Sequence, residues 1–69
     1  MRRPKPAPGP AIIAVVWRRG NHVTITYEDA STSSVVAGPG VAQSIAEEAG
    51  LGRGPSPDGI LRWERPALP

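Results

Sequence analysis

Cysteine is absent from this 69-residue chain. Without thiols there is neither a disulfide framework nor a zinc knuckle, and the compartment cannot be read from redox chemistry. Aromatic residues are scarce, at 4% of the chain. A chain of this length buries only about 60% of the surface its unfolded form exposes, so its core is marginal. Small scaffolds compensate with disulfides, a structural metal or association. With disulfides excluded, a protein partner or a second copy of the chain is the expected source of support, and a homo-oligomer is expected.

Long apolar runs are missing too. The longest spans residues 11–17, far short of the roughly 20 residues a membrane helix needs. The start Met1-Arg2-Arg3 has the charge of a signal peptide, but prolines at 4, 6, 8 and 10 break up the stretch that would have to be apolar. The expectation is a cytoplasmic protein, or a component of a particle assembled inside the cell, without membrane contact.

Catalytic signatures are also wanting. His22 is the single histidine. A Ser-His-Asp set assembled from Ser31 or Ser33 with Asp29 would need a dry cleft and an oriented base, which so short a chain has little material to wall. Glu28 and Asp29 are sequence neighbours, so on a strand their side chains point to opposite faces and form no acid/base pair or metal site. Gly38-Pro39-Gly40 stands ahead of a helical pattern but has no P-loop lysine and no third glycine of a dinucleotide fingerprint. No enzyme activity, metal, cofactor or small-molecule substrate is expected.

Against these absences stands one strongly patterned stretch, residues 12–50, between two proline-rich ends. Residues 1–10 carry four prolines and read as an extended basic arm. Residues 11–65 read as one small α+β domain, and residues 66–69 as a proline-rich tail. Within the domain, residues 11–19 and 22–29 are rich in β-branched residues and flank Gly20-Asn21, a recognised two-residue hairpin loop. That loop pairs Trp17 with Thr24, Val16 with Ile25 and Val15 with Thr26. It gives one helix-receiving face made of Ile12, Ala14, Val16, Val23, Ile25 and Tyr27. The other face carries Ile13, Val15 and Trp17.

A turn at Asp29-Ala30-Ser31 leads to residues 32–37, a third strand expected at an edge. Gly38 is then the cap and Pro39 the first residue of a helix. Its apolar stripe is Val41, Ala42, Ile45, Ala46 and Ala49, and Gly50 closes it in a left-handed conformation with Leu51 folding back. Glu47 and Glu48 occupy the last turn, where the dipole disfavours acids and a cation opposite would be welcome. Residues 52–59 read as a loop. Residues 60–65 alternate, with Leu61 and Trp63 on one side and Arg62 and Glu64 on the other, as a fourth strand or a docking tail. The fold expected is therefore a three- or four-stranded, mainly antiparallel sheet packed by one helix.

Two surfaces are candidates for contact. Ile13, Val15 and Trp17, with Trp63 and Arg65, combine apolar area with the Trp and Arg typical of interface hot spots. They suit a protein–protein interaction or assembly module, an accessory or structural part of a larger complex. The alternative is a small DNA- or RNA-binding regulator, with Arg2, Arg3 and Lys5 on the arm and Arg18, Arg19 and His22 at a hairpin tip that enters a groove. Three strands followed by a helix are loosely similar in order to the arm-binding domains of phage integrases, over about half the chain and with no shared motif. The formal charge is +2. Three positive charges belong to the arm, so the remaining residues carry a net −1, and the basic character is an arm, not a folded patch.

Overall fold

A computed structural model of the chain describes residues 10–66. Of the expected arm only Pro10 is included; residues 1–9 and 67–69 lie outside the described residues. The elements in chain order are β1 (Ile12–Arg18), β2 (His22–Tyr27), β3 (Thr32–Val36), α1 (Pro39–Glu48), β4 (Gly52–Arg53) and β5 (Ile60–Glu64). All five strands form one antiparallel sheet in the order β3-β2-β1-β5-β4. The small α+β architecture is as expected, but the sheet has five strands. The additional one, β4, is two residues long and lies in the segment read as loop. Its continuation is held by the Gly54 amide, which donates to the Arg62 carbonyl at 2.9 Å, and by the Ser56 hydroxyl, which accepts the Arg62 amide at 3.3 Å.

The register of the first hairpin differs from the expected one by a single residue. The loop is Arg19-Gly20-Asn21, closed by the Asn21 amide donating to the Arg18 carbonyl at 3.0 Å. Gly20 (φ 96°) and Asn21 (φ 63°) are both left-handed, a conformation that asparagine tolerates better than most residues. Its side chain is used as well, accepting a 3.2 Å hydrogen bond from the Trp17 indole. Arg18 therefore pairs with His22, Trp17 with Val23, Val16 with Thr24 and Val15 with Ile25. Because side chains alternate along a strand, this slip exchanges the faces.

The physical preference is plain in the pairs. The observed register sets Val against Ile and Trp against Val on one face, with Val16 and Ala14 opposite Thr24 and Thr26 on the other. The two-residue loop would have put Val15 and Trp17 opposite threonines and divided the apolar area between two faces. A bulge at Ile13, between the Ile12–Tyr27 and Ala14–Thr26 pairs, then turns Ile12 onto the Val15 side.

The core consists of Val15, Val23, Ile25, Ala42, Ala46, Leu51 and Trp63, with Ile12, Trp17, Tyr27, Ile45, Ala49 and Leu61 packed around it. Helix α1 lies against β1 and β5 on that face. Only alanines of the helix are fully buried, so the helix approaches the sheet closely and supplies little volume of its own. Val41, expected in the stripe, is exposed.

The helix ends follow the sequence. Gly38 is the cap and Pro39 opens the first turn. At the other end the Leu51 amide donates to the Ala46 carbonyl and the Gly50 amide to the Glu47 carbonyl, at 2.9 and 3.0 Å. This is the paired bonding of a Schellman motif, with Gly50 left-handed (φ 74°) and Leu51 buried beneath the last turn. A side chain at Gly50 would meet no atom within 4 Å, so substitution there costs backbone conformation alone. Gly50→Val should lower stability by about 1 kcal/mol or more. Gly52→Ala, in open space and without a positive φ, should change it little. Parallel thermal melts check this, and equal shifts for the two variants would contradict the assignment of the helix end.

Candidate functional site

The residues expected to form a protein-binding stripe are not brought together on a free surface. Val15 is fully buried and Trp63 is 4% exposed, both beneath α1. Trp17 is half-buried against the same core, and Ile13 sits in the bulge, outside that cluster. The register is the reason: the face assumed to be open is the one the helix covers. Trp63 stands beside Val15, and Leu61 beside Trp17, so β5 extends that face sideways and does not lie over it. The Arg53 guanidinium rests 5.5 Å from the centroid of the Trp63 ring, within cation–π range. Arg65 is exposed and pairs with Glu28 at 2.9 Å.

The hairpin tip does bring Arg18, Arg19 and His22 together in the chain turn, all exposed. The ion pairs formed among the described residues are those of Arg62 with Glu64 and Arg65 with Glu28, and none involves the tip arginines. Arg19 is tied to the sheet through its amide, which donates to the Gly59 carbonyl at 2.9 Å. Arg2, Arg3 and Lys5 lie outside the described residues. His22 begins β2 and Asp29 follows its end, so a six-residue strand, roughly 20 Å long, separates them. Ser31 instead hydrogen-bonds Asp29 through both its amide and its hydroxyl, and these bonds hold the Asp29 carboxyl below its ordinary value. The Ser33 hydroxyl donates to the Tyr27 hydroxyl at 3.3 Å. Among the described residues no group of three or more His, Asp or Glu is placed to hold a metal ion, and no helix is long and apolar enough to cross a membrane.

A shallow cleft of about 410 Å³ is lined by Ala11, Ile12, Ile45, Glu48, Ala49 and Arg65. Arg65 shares this cleft with Glu48, but its ion pair is with Glu28.

Among the described residues, no strand pairs with the side of β3 turned away from β2, a feature that strand propensity alone does not weight. The exposed large hydrophobic residues among those described, Val35, Val36 and Val41, at 40%, 81% and 53% exposure, all lie at the junction of β3 and α1. Strand β3 reads Thr-Ser-Ser-Val-Val, with no charge and no proline. Its bonding to β2 is bracketed by the Tyr27 amide donating to the Ser31 carbonyl and the Ala37 amide donating to the Asn21 carbonyl, both at 2.9 Å. In an antiparallel ladder the bonding residues alternate. Ser33 and Val35 therefore turn their amides and carbonyls toward β2, while Thr32, Ser34 and Val36 direct theirs to the open side.

The opposite edge is quite different. Strand β4 has two residues, one of them Arg53, and Pro55 and Pro57 follow it, which are the usual devices for blunting an edge. No protein-family model matches the chain, no curated protein matches it, and no solved structure matches its fold, so the likeness to integrase arm-binding domains stays one of element order.

Proposed function

We propose that this chain is a non-enzymatic protein–protein interaction and assembly module, an accessory or structural part of a larger complex, which docks through the free β3 edge. The observation that carries this reading is the bare, uncharged edge flanked by three exposed valines, on a sheet whose other edge is blunted. Backbone hydrogen bonds from an added strand give affinity in such contacts, and the neighbouring side chains give choice of partner. The expected hot spot moves from the Val15 and Trp63 stripe, which the helix covers, to Val35 and Val36.

The alternative, nucleic-acid binding, draws on Arg18 and Arg19 at the tip, which form no ion pair among the described residues. It is the weaker reading because the described residues carry five basic and six acidic side chains, which leaves no broad positive field to attract phosphates.

Size exclusion with light scattering, run at low and high salt with and without duplex DNA, separates the two. The interaction reading expects no retention on duplex at physiological salt, and any association of the chain to persist at high salt, because main-chain pairing and apolar burial carry it. Duplex binding that weakens by about 0.9 log units per contact for each log unit of salt, and is lost when Arg18 and Arg19 become Glu, would contradict it.

A further inference from the structure

The structure assigns the β3 edge a specific occupant: the β3 strand of a second copy of this chain, paired antiparallel about a two-fold axis at Ser34. This rests on the interaction reading above and names its partner. The argument starts from the outward groups. Thr32, Ser34 and Val36 point their amides and carbonyls away from β2, as the bonds at Ser31 and Ala37 fix. In a two-fold arrangement centred on Ser34, Thr32 faces the second copy's Val36 and Ser34 faces its own equivalent. Each of these three facing pairs is of the hydrogen-bonded kind and exchanges two bonds, so every outward group of the strand finds a partner. A shift by one residue would instead face these groups with ones turned away.

Side chains agree with this alignment. Residues directly opposite share a face of the sheet, so Val36, the most exposed large apolar residue described, gains Thr32 of the second copy beside it. Val35 gains Ser33. No charge occurs in β3, so self-pairing brings no like charges together. The flanks are complementary: the register carries the turn holding Asp29 toward the second copy's helix start. That start has no acidic residue in its first turn and no side-chain cap, and its partial positive charge favours an anion.

The unequal edges decide between a second copy and an open-ended chain. Pairing β3 with β3 consumes the one bare edge among the described residues of each molecule and leaves two blunted β4 edges outside, so assembly closes at two. Head-to-tail pairing of β3 with β4 would propagate a filament, but β4 offers only two residues and an arginine folded onto Trp63.

The test is a charge pair at the axis. Ser34 is exposed and its amide points outward, so Ser34→Lys and Ser34→Glu should leave the melting temperature of the full chain nearly unchanged. Analytical ultracentrifugation from micromolar to millimolar chain should show wild type passing from monomer to dimer. Each variant alone should associate at least about fivefold more weakly, since like charges then stand directly opposite, and an equal mixture of the two should recover the dimer. Ser34→Pro, which deletes the central outward amide at a position where an edge strand accepts proline, should abolish it.

A dimer indifferent to Ser34, a single monomeric mass at every concentration, or assemblies that grow without limit would each overturn the inference. None of these would by itself overturn the interaction reading. That reading fails instead on salt-sensitive duplex binding through Arg18 and Arg19, which can be read in the same samples.

Discussion

Trp63→Ala should come close to unfolding this chain. Truncating a buried tryptophan costs about 3–5 kcal/mol, and a domain of this size has only about 3–9 kcal/mol of total stability. Trp63 is also the keystone of the sheet's second half. It flanks Val15 in β1 and Arg53 in β4, lies under the cation of Arg53, and contributes the largest side chain in a core otherwise made of valine, isoleucine, leucine and alanine. The small helix residues above it, Ala42 and Ala46, cannot move in to fill the void. Circular dichroism melts should show a loss of about 15 °C or more. Trp17→Ala, at a half-buried position on the same face, should cost clearly less. A Trp63→Ala variant that melts within a few degrees of wild type would place this side chain outside the core.

An acid at Val15 should be as damaging, and its neighbour provides the control. Val15 is fully buried, so Val15→Asp leaves a carboxylate without water or a partner, at a cost of several kcal/mol even after the group protonates. Val16 points to the uncovered face, between Thr24 in β2 and Arg62 in β5. Val16→Asp should therefore cost only about 1 kcal/mol, the lost packing being offset in part by the arginine. Chemical denaturation of the two variants side by side reads the hairpin register directly. If Val16→Asp unfolded the chain and Val15→Asp did not, the two-residue loop would be the real one and the faces would be exchanged.

That pair of variants marks the boundary of what the sequence made legible. The punctuation could be read from single residues because each acts through its own backbone: Gly38 and Pro39 at the helix start, Gly50 with Leu51 at its end, Asp29 and Ser31 in the second turn. Strand existence was legible for the same kind of reason, from β-branched runs between turn residues. Register was not. Gly20-Asn21 serves a two-residue loop or, with Arg19, a three-residue one, and the choice reverses every side chain of β1 relative to β2. The deciding term is tertiary: apolar pairs gathered under one helix, with the bulge at Ile13 adding Ile12 to them. A scan for the register that gathers apolar residues on one side would have found it.

The candidate site shifted for the same reason. Once Val15 and Trp63 lie under the helix, the stripe they were expected to form is core, and the open surface is elsewhere. The free edge of β3 was foreseen as an edge, but its significance depends on β5 inserting beside β1 and on β4 closing the far side with two residues. Both are facts of strand order that local propensity does not contain. Val35 and Val36 carry no signal in the sequence, because two exposed valines are ordinary unless the backbone beside them is unpaired.

Association through the open side of β3 is readable by amide hydrogen exchange resolved residue by residue on the full chain at low and high protein concentration. The amides of Thr32, Ser34 and Val36 should exchange freely when dilute and become protected together as association proceeds. Those of Ser33 and Val35, already bonded to β2, should be protected throughout. Association that leaves Thr32, Ser34 and Val36 exchanging freely, or that protects the Arg18–His22 tip or the β4 edge instead, would contradict it.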